Sequence, residues 1–480
     1  MRNKDLRHIK AQAPEGRHGR GMTCPDTNTL LARYGQPVPR YTSYPTAPHF
    51  SPEVDAATYA GWLKALRPDG TVSVYIHVPF CAELCLYCGC QTAVARSRTP
   101  VKAYAERLVD EIGLVARHLP GRMTLTHLHF GGGTPTMLAD EDFAALMLAL
   151  RDVFAFADDA EIAIEIDPRV MDADKVAVLA REGFNRASLG VQDFDPKVQE
   201  AIGRHQSLEE TQQVADALRA AGIGALNLDL MYGLPHQDQA SVRRTVEAAL
   251  ALDPDRIAVF GYAHVPWMKK HQALIPEQAL PGAAERLAQA ELVADILAGH
   301  GYRAVGLDHF AKADDPMARR AADGSLKRNF QGYTTDDAPV LIGFGASAIG
   351  ALPQGYVQNL AATPQWHKAV EAGALPIARG IAVSDEDRLR RHVIERLMCD
   401  LTVDLDAACR SLGFPPDTFA DEIVALEPLI ADGLAVRRGG VVGVPEAARP
   451  FTRVVCAVFD ARLSASRAAA PEKKRHAAAV

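Results

Sequence analysis

The sequence predicts an α/β protein in which a partial (βα)6 barrel, similar to a TIM barrel, precedes a smaller, mostly helical C-terminal domain. Three observations support this prediction. Strand-like and amphipathic helix-like segments alternate from residue 71 to about residue 310, which indicates a parallel sheet covered by helices. Polar or glycine-rich motifs follow the strand candidates, and folds of this kind bind ligands at these strand ends. Beyond about residue 355 the alternation stops.

The barrel prediction depends on six successive strand–helix units. The strand candidates are residues 72–78, 125–130, 161–166, 187–191, 225–230 and 257–262. The helix candidates are residues 101–117, 141–153, 173–182, 208–221, 241–251 and 283–300. In the C-terminal part, residues 385–399 and 419–429 have helical patterns, and residues 434–444 are typical of a short hairpin. This combination indicates a winged-helix-like domain.

Composition divides the chain into five regions. Residues 1–21 are basic and have almost no large apolar side chains, so they are expected to be disordered, or to precede a true start at Met22, and they are no secretory signal. The predicted regions are a disordered extension over 1–30, an N-terminal arm over 31–70, the barrel domain over 71–350, the helical, winged-helix-like domain over 351–465 and a disordered tail over 466–480.

The overall composition is that of an ordinary soluble globular protein, with 48% hydrophobic and 23% charged residues. The net charge of −7 argues against a nucleic-acid partner. No apolar run reaches the roughly 18 residues that a membrane span needs, so no membrane partner is expected. Eight cysteines are too few for a disulfide scaffold, which predicts a reducing, cytoplasmic location. Nothing in the sequence requires an obligate partner, so we expect a monomer.

Four of the eight cysteines lie within ten residues, directly after the first strand candidate. Cys81, Cys85 and Cys88 have the spacing C-x3-C-x2-C, and Cys90 follows. Three thiolates this close can hold one metal centre, and short cysteine runs of this kind bind iron–sulfur clusters. Zinc usually takes four nitrogen or sulfur ligands, often from two separated C-x2-C pairs, and no second pair is present. The residues favour an iron–sulfur cluster and leave zinc or purely structural cysteines as alternatives.

The cysteine motif resembles that of the radical S-adenosylmethionine (SAM) superfamily. In that superfamily the three cysteines bind a [4Fe-4S] cluster, and the amino and carboxylate groups of SAM occupy the remaining iron. The dipeptide Gly89-Cys90 and residues 40–46, 306–312 and 328–335 resemble one branch, the oxygen-independent coproporphyrinogen III oxidase family. This resemblance covers the chain from about residue 30 to 460. It implies a radical SAM barrel over 71–350, open on one side for a large substrate, and an N-terminal arm that contacts the active site.

The resemblance also implies SAM-binding residues. Glycines in the motif after the second strand would let the backbone approach a ligand closely. Glu165, which alternates with apolar neighbours on the third strand, would bind a ribose hydroxyl pair. The residues matched to SAM contacts are Tyr75, Tyr87, Gly132, Gly133, Thr134, Glu165 and Ile349. The residues matched to a second SAM-like site are Gln192, Arg204, Asp229 and Ala263. Whether this second site holds another SAM molecule or marks the position of substrate stays open.

Each of these residues also has a structural interpretation. Glu165 could be a salt-bridged carboxylate, Arg204 a solvated helix residue, and the glycines a tight turn. Because most of the matched residues follow successive strands, we expect them to form one ring around a common site. Tyr75 and Cys90 are the residues assigned to catalysis, and the resemblance implies that Cys90 lines the site without binding the cluster.

The function implied by the resemblance is the oxidative decarboxylation of two propionates of coproporphyrinogen III to vinyl groups, giving protoporphyrinogen IX in haem biosynthesis. It requires an electron donor, expected to be an unidentified reductase or a flavodoxin-type protein. The alternative is a haem chaperone of the same superfamily. Such relatives typically have an aromatic residue in place of Cys90 and lack the signatures at 40–46 and 329–335. A radical methyltransferase and a zinc-binding structural protein are more remote alternatives.

Overall fold

The computed structural model describes residues 25–463. The strands, numbered in chain order, are β1 Thr71–Val78, β2 Phe80–Cys81, β3 Ala93–Val94, β4 Thr124–Gly132, β5 Ala155–Ile166, β6 Arg186–Gln192, β7 Ala225–Tyr232, β8 Arg256–Gly261, β9 Tyr302–Val305, β10 His309–Lys312, β11 Lys327–Asn329, β12 Gly332–Thr334, β13 Leu341–Phe344, β14 Ile349–Leu352, β15 Gly355–Asn359, β16 Ile377–Ala382, β17 Thr402–Asp404, β18 Val436–Arg438 and β19 Val441–Gly443. The α-helices are α1 Thr27–Tyr34, α2 Ala56–Lys64, α3 Arg98–Ala116, α4 Asp140–Val153, α5 Ala173–Arg181, α6 Pro196–Ile202, α7 Leu208–Ala220, α8 Gln239–Ala251, α9 Ala283–Gly299, α10 Pro316–Asp323, α11 Thr363–Glu371, α12 Asp385–Asp400, α13 Leu405–Leu412, α14 Ala420–Ala425, α15 Glu427–Ala431 and α16 Thr452–Val458. Among these helices none is both long and apolar enough to cross a membrane.

Twelve of the strands form one sheet, in the order β16-β15-β14-β13-β1-β4-β5-β6-β7-β8-β10-β9. From β13 to β8 every neighbouring pair is parallel. Antiparallel strands extend both edges. Within residues 25–463 the edge strands β16 and β9 do not pair, so the barrel stays open. The predicted partial barrel with six βα units is confirmed, whereas the parallel strand β13 was not predicted.

Strand β1 shows how the sequence places side chains on the two faces of the sheet. Val72, Val74 and Ile76 are fully buried in the main apolar core. Because successive side chains of a strand point to opposite faces, Tyr75 and His77 lie on the other face. The apolar face therefore fixes the strand against its covering helices, and the other face carries polar groups towards the barrel interior.

A buried carboxylate joins helix α3 to the end of the sheet. Glu111 is 1% exposed. Its side chain accepts hydrogen bonds from the backbone N–H of Gly345 (2.7 Å), from Asn359 Nδ2 (2.6 Å) and from Trp366 Nε1 (3.1 Å). Burial raises the pKa of Glu111 to about 8, although these donors oppose the rise. The carboxyl group is therefore largely protonated in the folded protein at neutral pH.

This buried carboxyl group predicts a pH-dependent stability. The pKa of Glu111 is about 8 in the folded protein against 4.5 for the ordinary group, so the unfolded chain releases this proton first. Its contribution to the free energy of unfolding should be full below about pH 4.5, should decline up to about pH 8 and should be flat above that. Urea unfolding of Glu111→Gln and of the native protein between pH 5 and 8 measures this. The variant should lose stability less steeply with pH, and equal slopes would contradict the prediction.

Two predicted region boundaries are wrong. The extension expected to be disordered over 1–30 overlaps helix α1, whose N-cap Asp26 accepts a hydrogen bond from the backbone N–H of Thr29 (3.0 Å). Arg33 of the same helix forms an ion pair with Asp432 (2.8 Å). The C-terminal domain does not begin at residue 351, because β14, β15 and β16 continue the barrel sheet to Ala382. The disorder predicted for residues 1–24 and 466–480 lies outside the described residues.

The C-terminal domain has its own apolar core, built from helices α12 to α16 and a sheet in the order β17-β19-β18. The predicted helix over 385–399 and the hairpin over 434–444 are confirmed. The predicted helix over 419–429 is two short helices that meet at Leu426, and Pro428 in the first turn of α15 supplies no N–H to continue the first helix. Tyr41 and Tyr44 of the N-terminal arm are buried in this core, so the arm joins the two domains.

Candidate active site

The predicted cysteine motif forms a loop at the end of strand β1. Strand β2 ends at Cys81 and pairs with β3, and the chain between them carries the other three cysteines. Cys85 is buried, Cys81 and Cys88 are partly buried, and Cys90 is exposed. The loop therefore lies at the carboxyl end of a parallel strand, as the sequence predicted.

Several hydrogen-bond donors face these thiols. Arg169 Nη2 and Arg204 Nη1 lie 3.7 and 3.6 Å from Cys85 Sγ. The backbone N–H of Cys90 donates to Cys88 Sγ (3.4 Å). The side chain and backbone N–H of Cys90 lower the pKa of Cys88 to about 6, against the effect of burial. Cationic and N–H donors favour the thiolate, which is the form that binds iron, so this donor set fits an iron–sulfur cluster.

The three cysteines do not already surround one point. Among residues 25–463, no group of three His, Cys, Asp or Glu side chains converges as the ligands of a single metal ion. In a four-iron cluster each thiolate binds a different iron, so the ligands stand further apart than around one ion. Support for a cluster site therefore comes from the placement of the three cysteines in one loop and from the hydrogen-bond donors to their thiols.

The glycine motif after strand β4 packs tightly against the cysteine loop. A Cβ atom on Gly133 would lie 2.6 Å from Phe80 O and 2.7 Å from Thr92 Oγ1. Gly132 has φ +116° and would place a Cβ 2.6 Å from the His77 ring. Thr134 is buried, and its backbone N–H donates to Phe80 O (2.7 Å). These contacts explain why glycine is needed at positions 132 and 133.

A polar network connects the inward faces of strands β1, β4 and β5. Glu165 accepts hydrogen bonds from the backbone N–H of Gly132 (3.0 Å) and from His129 Nε2 (3.2 Å). The Tyr75 ring stacks on His129, with 5.8 Å between ring centroids. His77 donates from Nε2 to Gln91 O (3.0 Å) and accepts from the Tyr75 hydroxyl at Nδ1 (3.0 Å). Within residues 25–463 Glu165 pairs with His129 and with no Arg or Lys, and this pair is an ion pair only when His129 is protonated.

His77 and His129 of this network are not among the site residues predicted from the sequence. Burial lowers the pKa of His77, which keeps the ring neutral at physiological pH. The alternation of polar and buried apolar residues along β1 and β4 could have indicated them, because it places His77 and His129 on the same inward faces as Tyr75. One histidine on one strand does not by itself indicate a site, and the pairing of β1 with β4 that brings the two histidines together is known only from the structure.

Arg204 lies at the centre of a second group of contacts. It is 5% exposed, so the solvated helix residue considered as an alternative is wrong. It forms an ion pair with Asp167 (3.1 Å) and donates to Gly190 O (2.5 Å) and to Gln206 Oε1 (2.9 Å). Since Asp167 also pairs with Arg169 (2.7 Å), one carboxylate holds both guanidinium groups beside Cys85.

Asp229 and Gln192 lie on the neighbouring strand ends. Asp229 accepts hydrogen bonds from Ser188 Oγ and Asn227 Nδ2, both at 2.9 Å. Burial raises the pKa of Asp229 to about 6, and the charge of Glu165 contributes. Gln192 has φ +70°, a left-handed conformation at the end of β6. Glu165 and Asp229 thus lie on strands β5 and β7 as the sequence predicted, close enough to influence each other's charge.

Three predicted residues lie outside these networks. Tyr87 packs in a cluster with Ile202 and Leu234, and it lies close enough to Arg204 and Cys85 to interact with their charges. Ile349 packs in another cluster, with Phe50 and Tyr356. Ala263 follows β8 and lines a large cavity. The structure therefore brings together the residues on strands β1 to β7, places Tyr87 beside Arg204 and the cysteine loop, and places Ala263 and Ile349 at the margins.

Residues 265–275, which were not among the predicted site residues, form hydrogen bonds to the cysteine loop. Lys269 Nζ donates to Cys90 O (2.8 Å), His271 Nε2 to Cys88 O (2.7 Å) and Gln272 Nε2 to Tyr87 O (2.9 Å). These three bonds fix the backbone of the loop between residues 87 and 90.

The cavity that contains Ala263 has a volume of about 940 Å³. It extends from the end of β8 to the C-terminal domain, and its wall includes the N-terminal arm and the β11–β12 hairpin. Arg40 and Thr42 of the arm and Phe330 and Gln331 of the hairpin are among its lining residues. Both signature segments that the sequence analysis selected, residues 40–46 and 328–335, therefore contribute to this cavity.

Comparison with known proteins agrees with this site. The model of the radical SAM superfamily matches residues 75–249. An oxygen-independent coproporphyrinogen III oxidase from Bradyrhizobium diazoefficiens is 50% identical over 94% of this chain and 99% of its own length. A protein of the same name from Cereibacter sphaeroides is 46% identical over 90% of this chain and 95% of its own length. The solved structure of coproporphyrinogen III oxidase from Escherichia coli, described as a radical SAM enzyme, has a TM-score of 0.85 and 37% identity, and the match covers 92% of this chain and 100% of that one.

Proposed function

Because the chain belongs to the oxygen-independent coproporphyrinogen III oxidase family of the radical SAM superfamily, we propose that it converts coproporphyrinogen III to protoporphyrinogen IX. The single observation that carries this proposal is that the cysteine loop, the glycine motif and the large cavity all lie at the carboxyl ends of the parallel strands. Each of two propionate side chains would lose one hydrogen atom, one electron and carbon dioxide and become a vinyl group.

The family implies a [4Fe-4S] cluster and SAM as cofactors. Together, when bound, they supply the 5′-deoxyadenosyl radical that removes a hydrogen atom from the β-carbon of a propionate. We assign Cys81, Cys85 and Cys88 to the cluster. The guanidinium groups of Arg169 and Arg204 beside Cys85 Sγ stabilise the thiolate by charge-assisted hydrogen bonds.

We assign the polar network of β1, β4 and β5 to SAM. Glu165 accepts from Gly132 and His129, which fixes its carboxylate for hydrogen bonds to a ribose. Gly132 and Gly133 let the backbone approach the ligand, and Thr134 lies beside them. Tyr75 is oriented by His77 and His129 and offers an aromatic face. Tyr87 and Ile349 would supply apolar contacts, and Cys90 would line the site as an exposed thiol.

The second SAM-like site stays a proposal with two versions. Gln192, Arg204, Asp229 and Ala263 could bind a second SAM molecule or part of the substrate. The cavity lined by Ala263 favours substrate on the side of β8. Equilibrium dialysis with labelled SAM separates the versions, because a second SAM molecule requires about two bound per chain.

The test of the proposed function is an anaerobic assay. The protein is reconstituted with iron and sulfide, then given reductant, SAM and coproporphyrinogen III. Protoporphyrin after oxidation, together with 5′-deoxyadenosine, is the expected result. Deoxyadenosine without protoporphyrin would move the substrate elsewhere, and stable haem binding without either product would favour the chaperone alternative.

We further propose that a flavodoxin-type protein donates the electron at the segment over residues 265–275. Trp267 and Met268 are 52% and 61% exposed, and Lys270 beside them is exposed. The neighbouring Lys269 bonds to Cys90 O, so this surface lies against the cysteine loop. An apolar patch next to two lysines suits a donor with an acidic surface.

This surface predicts the effect of a charge reversal. Lys270→Glu should slow reduction of the cluster by an acidic flavodoxin about threefold to tenfold at low ionic strength, because electrostatic steering is lost. Reduction by dithionite, a small molecule, should not change. Lys368→Glu reverses an exposed charge on helix α11 and is the matched control. Stopped-flow bleaching of the cluster absorbance measures the rates, and equal flavodoxin rates for both variants would place the donor elsewhere.

We also propose a monomeric, cytoplasmic enzyme. None of the seven cysteines within residues 25–463 forms a disulfide, which agrees with a reducing compartment.

A further inference from the structure

The large cavity brings together arginines from four separate parts of the chain. Arg40 comes from the N-terminal arm, Arg286 from helix α9, Arg328 from strand β11 and Arg453 from helix α16. We call these four residues the arginine set. Like charges in one cavity repel each other, so such a grouping costs stability unless anions bind there. A concentration of guanidinium groups is therefore a candidate anion site.

The guanidinium group of Arg286 has a hydrogen-bond donor that no group of the described protein accepts. Its Nε is buried and has no hydrogen-bond partner within the described protein. The side chain passes over two glycines, because a Cβ on Gly233 would lie 2.9 Å from Arg286 Nε and one on Gly261 would lie 3.3 Å from Arg286 Nη2. Burial lowers the pKa of Arg286, and the charge of Arg40 contributes. An anion in the cavity would offset both effects.

Arg328 is oriented by the N-terminal arm. Its Nε donates to Tyr41 O (3.3 Å) and its Nη2 to Arg40 O (3.4 Å). Its guanidinium lies over the Tyr333 ring, 4.2 Å from the centroid. Its Nη1 is buried and has no hydrogen-bond partner among residues 25–463. The arm and the hairpin thus fix a guanidinium group that keeps a donor for a ligand.

Several acidic residues of the cavity wall have partners outside the arginine set or are exposed to solvent. Asp308 is bonded to His309 (2.8 Å), and Glu446 pairs with a fifth arginine, Arg449 (2.6 Å). Glu291 and Asp295 are exposed on helix α9. Burial, and after it the charge of Arg40, lower the pKa of Arg453 to about 10, and the charge of Asp308 opposes this.

We propose that the arginine set binds the propionate carboxylates of a tetrapyrrole in this cavity, an inference that rests on the proposed function. Guanidinium groups bind carboxylates through paired, charge-assisted hydrogen bonds. Coproporphyrinogen III has four propionates, and a cavity of about 940 Å³ is in the size range of small-molecule sites. Because the reaction removes two of the four carboxylates, the product would make fewer of these pairs. The arginine set would therefore hold the substrate more tightly than the product and aid product release.

The test compares binding with turnover. Coproporphyrin III, the stable oxidised form with four free carboxylates, and its tetramethyl ester are titrated into the reconstituted holoenzyme and into Arg286→Leu and Arg453→Leu. Each substitution should weaken binding of the acid about 10- to 100-fold and leave binding of the ester unchanged, since one charge-assisted pair is worth about 1.5–3 kcal/mol. The KM for coproporphyrinogen III should rise by a similar factor, with the KM for SAM unchanged. Arg286→Lys, which keeps the charge, should recover part of the affinity.

Controls keep the outcomes distinct. Arg243→Leu removes an exposed arginine on helix α8 and should bind the acid as the native protein does. Cluster absorbance and its response to SAM show whether each variant is folded. Unchanged affinity for the acid in both leucine variants would overturn the proposal that the arginine set binds the propionates. If the native protein makes no protoporphyrin, the proposed function fails, whereas preference for the acid over the ester that Arg286→Leu abolishes would still support the anion site.

Discussion

Cys85→Ser should abolish both cluster binding and turnover. Cys85 is the buried member of the three cysteines, and its Sγ faces the guanidinium groups of Arg169 and Arg204. A serine hydroxyl is a poor iron ligand at neutral pH, and the two buried cations would lose their thiolate partner. After anaerobic reconstitution, we expect iron content per chain to fall to near zero and 5′-deoxyadenosine formation to fall at least about 1000-fold, as loss of an essential cofactor would produce.

The matched control for this prediction is Cys90→Ser. Cys90 is exposed, is not assigned to the cluster and lies in the same loop. It should retain the full iron content and the charge-transfer absorbance. Full activity of Cys85→Ser, or the loss of iron in Cys90→Ser but not in Cys85→Ser, would show that the cluster ligands are assigned wrongly.

Gly133→Ala should disable the enzyme almost as strongly. The added Cβ would lie 2.6 Å from Phe80 O, a backbone atom next to Cys81, and 2.7 Å from Thr92 Oγ1. Because Phe80 O is a backbone atom, a change of side-chain rotamer cannot relieve this contact. The glycine motif and the cysteine loop must therefore move apart. We expect kcat/KM for SAM to fall at least about 100-fold, from the displaced motif and from poorer cluster retention. Isothermal titration with SAM and the 5′-deoxyadenosine assay measure both.

Gly113→Ala is the control for the extra methyl group. Gly113 lies in helix α3, and a Cβ there would meet nothing within 4 Å. Its activity should equal that of the native protein, and its stability should rise slightly because alanine favours helix over glycine. Normal SAM affinity in Gly133→Ala would mean that the loop moves at little cost and that the tight packing has no role in SAM binding.

The barrel was predictable because its strands carry long, repeated patterns. Residues such as Val72, Val74 and Ile76 alternate with polar ones, and each strand is followed by an amphipathic helix. The extension of the sheet by β14, β15 and β16 was not predictable in the same way. These strands are short and antiparallel, and Gly355 and Gly380 pack closely against neighbouring backbone, so their sequences are typical of loops. The domain boundary was placed too early for that reason.

The site likewise has one part that the sequence predicts and another that depends on contacts between distant segments. Cys81, Cys85 and Cys88 are close in sequence, so their spacing alone indicated a metal centre. Residues 265–275 reach the cysteine loop from a distant part of the chain, and Arg169 reaches Cys85 from the segment after β5. The arginine set comes from the arm, the barrel and the C-terminal domain. Contacts between such distant segments depend on the folded chain, and no local pattern encodes them.

The most direct test of the account is the fate of the β-hydrogen of a propionate. Coproporphyrinogen III deuterated at the propionate β-carbons is supplied to the reconstituted enzyme with SAM and reductant. The deuterium content of 5′-deoxyadenosine and of the tetrapyrrole is then measured by mass spectrometry. We expect one deuterium in 5′-deoxyadenosine for each vinyl group formed in protoporphyrinogen IX. Protoporphyrinogen IX formed together with unlabelled 5′-deoxyadenosine, with the lost deuterium released to solvent water, would contradict it.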